Sequence, residues 1–363
     1  MAINKCTLIV DGNWLLMSRL WVVKDYFKEN QGPEENQRAS QELKELMAKS
    51  ISITLQKFYS YVDNIIIIGD RSSWRKELDK PKTLAGFNYK GNRTPADGIN
   101  WDLIWDTATN FFDNCRKQGM TVTRIEGMEG DDLAYYWSRR LNAKGINCII
   151  WSTDQDLLQL VQYRDCLFTA WYNNEKGIGF SDKAQETPVD SIDFFMQPMP
   201  CINPLLNPLT KAFKTFYVNP DMIVMKKVIC GDSGDNIQSI IRKKKNGKTF
   251  RVSEKNWESL RKDMDIQFLG EFWEKRDAIC EELCKDKEYD GVEEVKEEFD
   301  YNKKLVWLNG EVIPEELISK GDLEDYSIYE IANIRNNFKV LSGDKDNDEV
   351  LKVFEGMDEL FKN

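Results

Sequence analysis

The chain has 363 residues, 41% hydrophobic and 31% charged, enough for two or three domains with a sizeable core and too apolar for intrinsic disorder. It contains no histidine, which excludes imidazole bases, Ser-His-Asp and Cys-His nucleophiles and His-ligated zinc; acid–base or metal chemistry must run on carboxylates, lysines, tyrosines or thiols. The net charge of −11 speaks against nucleic acid, but residues 271–363 hold 27 acidic and 13 basic residues, whereas residues 1–270 hold 34 and 37.

Short β-branched runs at Lys5–Val10, Asn64–Ile68, Met120–Ile125 and Asn147–Trp151 predict strands, and helical periodicity covers Ser40–Tyr61, Trp101–Lys117 and Asp132–Lys144. This alternation predicts an α/β fold with a mostly parallel twisted sheet and helices on both faces. Six of the ten prolines fall between Pro188 and Pro220, so residues 171–220 are expected to be irregular. A helix is expected at Asp221–Cys230, then a basic loop at 242–251, further helices through 254–287, and an exposed acidic helix or linker at Lys285–Asp300. The domain reading is a 1–220 core with an arch-like basic segment at about 71–100, a helical region at 221–300, and a small acidic region at 301–363, mainly helical beyond the core.

The eight cysteines contain no Cys-x-x-Cys pair and read as buried thiols of a reducing compartment. The N-terminal residues lack the long apolar region of a signal peptide, and the aliphatic run Ile65–Ile68 is too short to span a bilayer. A cytoplasmic protein with no membrane partner is expected.

The acids fall at the ends of the predicted strands. Asp11 follows the first strand, Asp70 the second, and Asp154 and Asp156 the fourth, all on the sheet edge where an open parallel sheet binds its ligands. Glu129, Asp131 and Asp132 open one helix; Asp232 and Asp235 follow another, three apart so that a helix would put them on one face. Each alone reads as a cap or a turn. Nine together would repel unless neutralised, and divalent cations with oxygen ligands are the natural counter-charge. After Asp70 come Arg71, Trp74 and Arg75, then Tyr89, Lys90 and Arg93, basic residues interleaved with aromatics in the manner of phosphate contact plus base stacking.

Val10-Asp-Gly-Asn, Gly69-Asp-Arg with Trp74-Arg and Tyr89-Lys-Gly-Asn-Arg, Glu129-Gly-Asp-Asp, Ser152-Thr-Asp-Gln-Asp and Gly231-Asp-Ser-Gly-Asp-Asn follow one another in family order. Over about residues 5–240 the chain resembles the 5′-nuclease superfamily of flap endonucleases and 5′→3′ exonucleases, most closely the bacteriophage branch that includes the T-even phage ribonuclease H. The resemblance implies two Mg2+ (or Mn2+) ions: Asp11, Asp70, Glu129, Asp131 and Asp132 at the tighter site, Asp154, Asp156, Asp232 and Asp235 around the second. It implies Lys90 on the scissile phosphate and Arg75, Tyr89 and Arg93 in an arch or gateway, with Lys90 and Arg75 as the catalytic cations. The implied reaction is hydrolysis near a 5′ end of a DNA flap, a nicked duplex or an RNA–DNA hybrid, including RNA primers in phage DNA replication. One ion would activate the attacking water and the other would stabilise the leaving 3′ oxygen.

Where cellular members carry a glycine-rich hairpin that binds duplex DNA with potassium, this chain has IQSIIRKKKNGK at 237–248. That puts a potassium site in question and makes Arg242, Lys243, Lys244, Lys245 and Lys248 the substitute for duplex binding. Two other readings compete. A haloacid-dehalogenase-type phosphatase needs Asp-x-Asp and meets Asn13 instead; a non-catalytic nucleic-acid-binding factor on the same fold would not need all nine acids. Residues 344–355 reproduce calcium-loop spacing but place Glu349 where the loop needs glycine, so a solvated turn is favoured. The amphipathic run 350–361 either packs on its own domain or docks on a sliding clamp or single-strand-binding protein. The protein is expected to be a monomer.

Overall fold

The computed structural model describes residues 6–58, 61–117, 120–164, 167–184, 209, 212–240, 242–245, 248–251, 254–285 and 291–323. The chain divides into two compact units, one from Met1–Ser72, Ala96–Val218 and Glu316–Asn363, the other from Ser73–Pro95 and Asn219–Glu315. Segment 73–95 therefore separates from the first 220 residues, unlike the three-region expectation. It groups with 219–315 because Leu84 and Tyr89 are buried in that unit's core.

The first unit is built on an eight-stranded, mostly parallel sheet. Its strands are β1 (Cys6–Asp11), β2 (Val62–Ile68), β3 (Thr121–Thr123), β4 (Cys148–Trp151), β5 (Gln162–Arg164), β6 (Leu167–Asn173), β7 (Gly177–Ser181) and β8 (Thr215–Val218). They lie in the order β3-β2-β1-β4-β6-β7-β8, with β5 paired to β6. All pairings are parallel except β5 with β6 and β6 with β7. Every residue of β1 is buried, as expected of a central strand covered on both faces. Its Leu8 and Val10, with Ile65, Ile67, Ile149 and Trp151, join a core shared with α1 (Gly12–Val23), α2 (Pro33–Phe58) and α3 (Trp101–Lys117). The alternate residues Ile9, Ile66, Ile68 and Ile150 are buried on the opposite face. There α4 (Gly130–Ala143) lies on the sheet, Trp137 Nε1 donating to Thr123 Oγ1 at 2.9 Å.

The four predicted strands form within two residues of their expected limits. Helix α2 starts at Pro33, seven residues before Ser40: proline fits the first helical position, and Glu34 and Glu35 complement the positive end of the helix dipole. Helix α1 was not foreseen, because Asp11-Gly12 reads as a turn and GNWLLMSRLWVV is apolar on most sides. Within the region expected to be irregular at 171–220, the described residues include regular strands. There β6 and β7 form a hairpin whose turn is closed by the Asn173 side chain accepting from the N–H of Glu175 and Lys176. The prolines at 188–208 lie outside the described residues.

The second unit contains α5 (Pro220–Cys230), strands β9 (Arg242–Lys245) and β10 (Lys248–Arg251), α6 (Glu254–Asp263), α7 (Leu269–Glu274), α8 (Arg276–Cys284) and α9 (Val292–Val306). Its core joins Val224, Val228, Trp257, Phe272, Ile279 and Phe299 to Leu84 and Tyr89. The expected basic loop at 242–251 is a two-stranded antiparallel hairpin, Lys245 opposite Lys248 and Arg242 opposite Arg251. The acidic stretch 285–300 is no exposed linker where it is described, because α9 buries Val295, Glu298 and Phe299. A last helix, α10 (Glu315–Leu323), closes the described chain; the calcium-like spacing at 344–355 and the amphipathic run at 350–361 lie outside it. Among the described residues no helix is long and apolar enough to cross a membrane.

Candidate active site

The sheet order sets the place. From β1 the chain steps to β2 and β3 on one flank, then returns to β4 on the other, so the connections diverge at the carboxyl end of β1. Parallel register levels Asp11 with Ile68 of β2, and Val10 with Trp151 of β4. Asp70 and Ser152–Asp156 therefore leave the sheet at the edge where Asp11 sits.

Direct hydrogen bonds tie these groups together. Asp11 caps α1, one oxygen accepting from Trp14 N at 2.9 Å, while the other accepts from Ser152 Oγ at 2.7 Å. Ser152 Oγ also accepts from Asp154 N at 3.0 Å, and Asp154 Oδ1 from Asp156 N at 2.8 Å. On the other flank Asn13 Oδ1 accepts from Asp70 N at 3.1 Å, and the Asp70 carboxylate accepts from Gly130 N at the start of α4. There Asp132 Oδ2 reaches back to Glu129 N at 3.1 Å in a capping box, and Asp131 lies half-buried between them. Gly12 permits the tight passage from β1 into α1, since a Cβ there would sit 2.7 Å from Ile68 O.

The electrostatics are those of crowded acids. Asp11 is buried, and its pKa is pushed up to about 7, first by desolvation and further by the charges of Asp70 and Asp154; its bonds to Trp14 and Ser152 oppose the rise only in part. As the side chains stand, the described residues contain no group of three carboxylates or thiols drawn close enough to hold a metal ion. Asp11, Asp70, Asp132 and Asp154 each give an oxygen to a backbone N–H. Ligation would turn some of these oxygens toward an ion. The donor set itself, carboxylates with Asn13 and Ser152 beside them and no imidazole, suits a hard divalent cation. Asn13 and Ser152 stand inside the sequence motifs but carried no assigned role there; their positions beside Asp11 and Asp154 were the available signal.

The second unit holds the remaining predicted residues. Asp232 and Asp235 do not share a helix face: they lie in a turn closed by the bridge between Asp232 and Ile237, with Asp232 Oδ1 accepting from Gly234 N at 2.8 Å. Gly231 enters that turn at φ 68°, and a Cβ would meet Ile237 O at 2.4 Å, so glycine is required. Burial alone would raise the Asp232 pKa, but the ion pair with Lys227 and the turn's N–H groups hold it below the ordinary range. Asp235 faces segment 88–93. It pairs with Arg93, lies 4.0 Å from Lys90 Nζ, and accepts from Tyr89 Oη at 3.3 Å.

Arg75 departs from the expectation of a substrate-facing cation. Its side chain is 1% exposed, stacks on Trp74 with its guanidinium carbon 4.7 Å from the ring centre, and donates from Nε to Leu305 O at 3.0 Å near the end of α9. Arg71 in the first unit is exposed and pairs with Glu126 at 3.0 Å. Of Arg242, Lys243, Lys244, Lys245 and Lys248 the structure gives the hairpin backbone.

Known proteins carry the same arrangement of elements. The family model of the 5′-3′ exonuclease N-terminal resolvase-like domain matches residues 6–187, half of the chain. A 5′-3′ exonuclease of Buchnera aphidicola is 31% identical over 130 residues, which are 33% of this chain and 42% of that protein; the match spans less than half of that relative's length. A bacteriophage T5 protein co-crystallised with metal ions superposes at a TM-score of 0.50 with 16% identity, over 88% of this chain and 99% of its own. The 5′-exonuclease of bacteriophage T5 with zinc bound gives 0.50 and 16%, over 93% and 99%. At such identities these two show a shared fold. With its sheet, its acidic strand ends and a family match that runs from β1 through β7, the chain belongs to the 5′-3′ exonuclease family by its N-terminal resolvase-like domain.

Proposed function

We propose that this protein is a divalent-metal-dependent 5′ nuclease that hydrolyses phosphodiesters near the 5′ ends of DNA flaps, nicked duplexes or RNA–DNA hybrids, and removes RNA primers in phage DNA replication. The observation that carries the reading is the hydrogen-bonded set Asp11–Ser152–Asp154–Asp156 and Asp70–Gly130 at the carboxyl ends of three parallel strands. Burial first, and the charges of Asp70 and Asp154 further, raise the proton affinity of Asp11, and a bound cation would offset both.

Asp11, Asp70, Glu129, Asp131 and Asp132 would hold one Mg2+ or Mn2+, and Asp154 and Asp156 a second, with Asp232 and Asp235 as the further ligands that the resemblance implies. When bound, such ions activate a water and neutralise charge on the phosphate. The chain's own groups do the rest. Ser152 and the Gly130 N–H fix the directions of Asp11 and Asp70, and Asn13 holds the backbone at Asp70. Lys90 supplies positive charge to the phosphate as it becomes more anionic in the transition state. Arg71, Trp74 and Arg93 serve the single strand, Tyr89 anchors their segment in the second unit's core, and the β9–β10 hairpin with its Arg242, Lys243, Lys244, Lys245 and Lys248 serves the duplex backbone.

A time course on 5′-labelled flap, nicked and RNA-primed substrates, with and without Mg2+ or Mn2+, tests the reading. Asp132→Asn and Asp154→Asn each retain an oxygen for their backbone N–H partner, so both should fold, bind a flap substrate and fail to cleave it. Full cleavage by both variants would remove the assignment. Binding without metal-dependent cleavage in the unaltered protein would leave a nucleic-acid-binding factor.

A further inference from the structure

We propose that Asn302 is a positioning residue for the second ion: its side-chain amide, buried on α9, pins the two stretches of backbone that flank the acidic 231–237 turn and so sets where Asp232 and Asp235 are presented. The proposal rests on the metal-dependent reading above and adds to it a residue that touches neither ion nor substrate.

The need for such a clamp starts at the end of α5. A helix leaves its last four carbonyls without intrahelical donors, here those of Lys227, Val228, Ile229 and Cys230. Lys227 O accepts from Gly231 N at 2.9 Å, and Gly231 at φ 68° then takes the chain out of the helix. Asp232 N consequently donates to Ile237 O at 3.0 Å rather than to Val228 O. Ile229 O is met from beyond the turn, by Ile240 N at 2.9 Å and Ser239 Oγ at 3.1 Å. Val228 O is met from another helix. Asn302 Nδ2 donates to it at 2.9 Å, and with its second proton donates to Gln238 O, also at 2.9 Å.

Asn302 is 1% exposed and shares the buried face of α9 with Val295, Phe299 and Leu305. A primary amide so placed is costly unless its donors are used. Both neighbours of its nitrogen are backbone carbonyls, and an amide is the uncharged side chain that offers two protons from one atom. It joins the last turn of α5 to the exit of the acidic turn, with Asp232 and Asp235 in the chain between them. The bridge between Asp232 and Ile237 is one pair of hydrogen bonds, at 3.0 and 2.7 Å, and it closes the mouth of the loop. Asn302 ties that mouth to a helix packed in the unit's core. The clamp acts on backbone, so both carboxylates stay able to turn from Lys227 and Arg93 toward an ion. Groups that hold metal ligands from behind govern affinity by about 10- to 100-fold.

The test compares the whole protein with three variants. Asn302→Leu keeps the volume and removes the donors, and Asn302→Asp keeps the shape but turns an oxygen toward both carbonyls. Val295→Ala loosens the same face of α9 about two turns earlier. In metal-free protein, amide exchange in peptides covering 231–240 should be about tenfold faster in Asn302→Leu than in wild type, with exchange in α6 unchanged. In Mn2+ titrations followed by electron paramagnetic resonance, the weaker site should need about tenfold more Mn2+ while the tighter site keeps its affinity. Flap cleavage should follow the metal: at saturating Mn2+ the Asn302→Leu rate returns to that of wild type, and the KM for the flap does not change. Asn302→Asp should move the same quantities in the same direction. Val295→Ala should lower stability and leave the Mn2+ requirement alone, which separates positioning from general loosening. Wild-type exchange at 231–240, an unchanged Mn2+ requirement in Asn302→Leu, or an equal shift in Val295→Ala would each overturn the proposal. If the unaltered protein takes up no Mn2+, the metal-dependent reading fails by itself, and the amide exchange still decides whether Asn302 holds the turn.

Discussion

At the scale of single residues, Asp11 carries two obligations. It caps α1 and it shares its pocket with Asp70 and Asp154, and burial among them lifts its pKa from 3.8 to about 7. A raised folded-state pKa means that ionisation opposes folding, so the protein without bound cations should lose stability as pH rises from about 4 to 7 and remain lowered above it. A rise of that size corresponds to about 4 kcal/mol. Thermal melts in chelator at pH 5 and pH 8 should show the loss. Asp11→Asn, which keeps a capping oxygen but no charge, should raise Tm at pH 8 while cleavage disappears; a variant melting at or below the wild-type temperature would contradict the burial argument. Arg75 gives the opposite lesson. As a buried guanidinium bonded to Leu305 O, it should when replaced by alanine cost about 2–4 kcal/mol in a urea titration. The rate per folded molecule should stay near wild type, whereas a specific catalytic role would lower it by orders of magnitude.

At the scale of elements, what could be read in advance depended on whether a pattern was local. The strands β1, β2 and β4 are apolar runs that end in turns bearing acids, and chain order alone put Asp11, Asp70 and Asp154 on one edge. Helix α1 has no polar stripe to reveal it: Leu15, Leu16 and Leu20 are buried, and its exposed positions Trp21 and Val22 are apolar as well. The β6–β7 hairpin was hidden by its nearness to a proline-rich stretch, although Asn173 marked its turn. Spacing alone could not tell a helix face from the closed turn that carries Asp232 and Asp235; the deciding residue is Gly231, whose φ of 68° takes the chain out of α5. Gly231→Ala should therefore destabilise the second unit by about 1–3 kcal/mol, measured by urea denaturation. Wild-type stability in that variant would show that the turn can relax. The burial of Arg75 is hidden for a related reason: a basic residue beside a tryptophan looks the same in sequence whether the pair faces solvent or a helix end.

At the scale of the whole molecule, charge is apportioned by region rather than averaged. The acidic excess of residues 271–363 leaves the rest slightly basic, and the densest positive run lies on the β9–β10 hairpin. If that hairpin follows the phosphate backbone, replacing Lys243, Lys244 and Lys245 together by glutamine should weaken duplex binding at low salt. It should also flatten the slope of log K against log[salt] by roughly one for each phosphate no longer neutralised. An unchanged slope in filter-binding or anisotropy titrations would place the duplex elsewhere.

The second unit is assembled from two stretches of chain with residues 96–218 between them. During synthesis Leu84 and Tyr89 leave the ribosome before most of the surface that buries them has been translated. At 5–20 residues per second the delay is roughly 6 to 25 s. Over that interval the excursion is an unsheltered loop of growing polypeptide, vulnerable to proteases and to non-productive association, and completion of the fold waits on delivery of the later stretch rather than on any local conformational search.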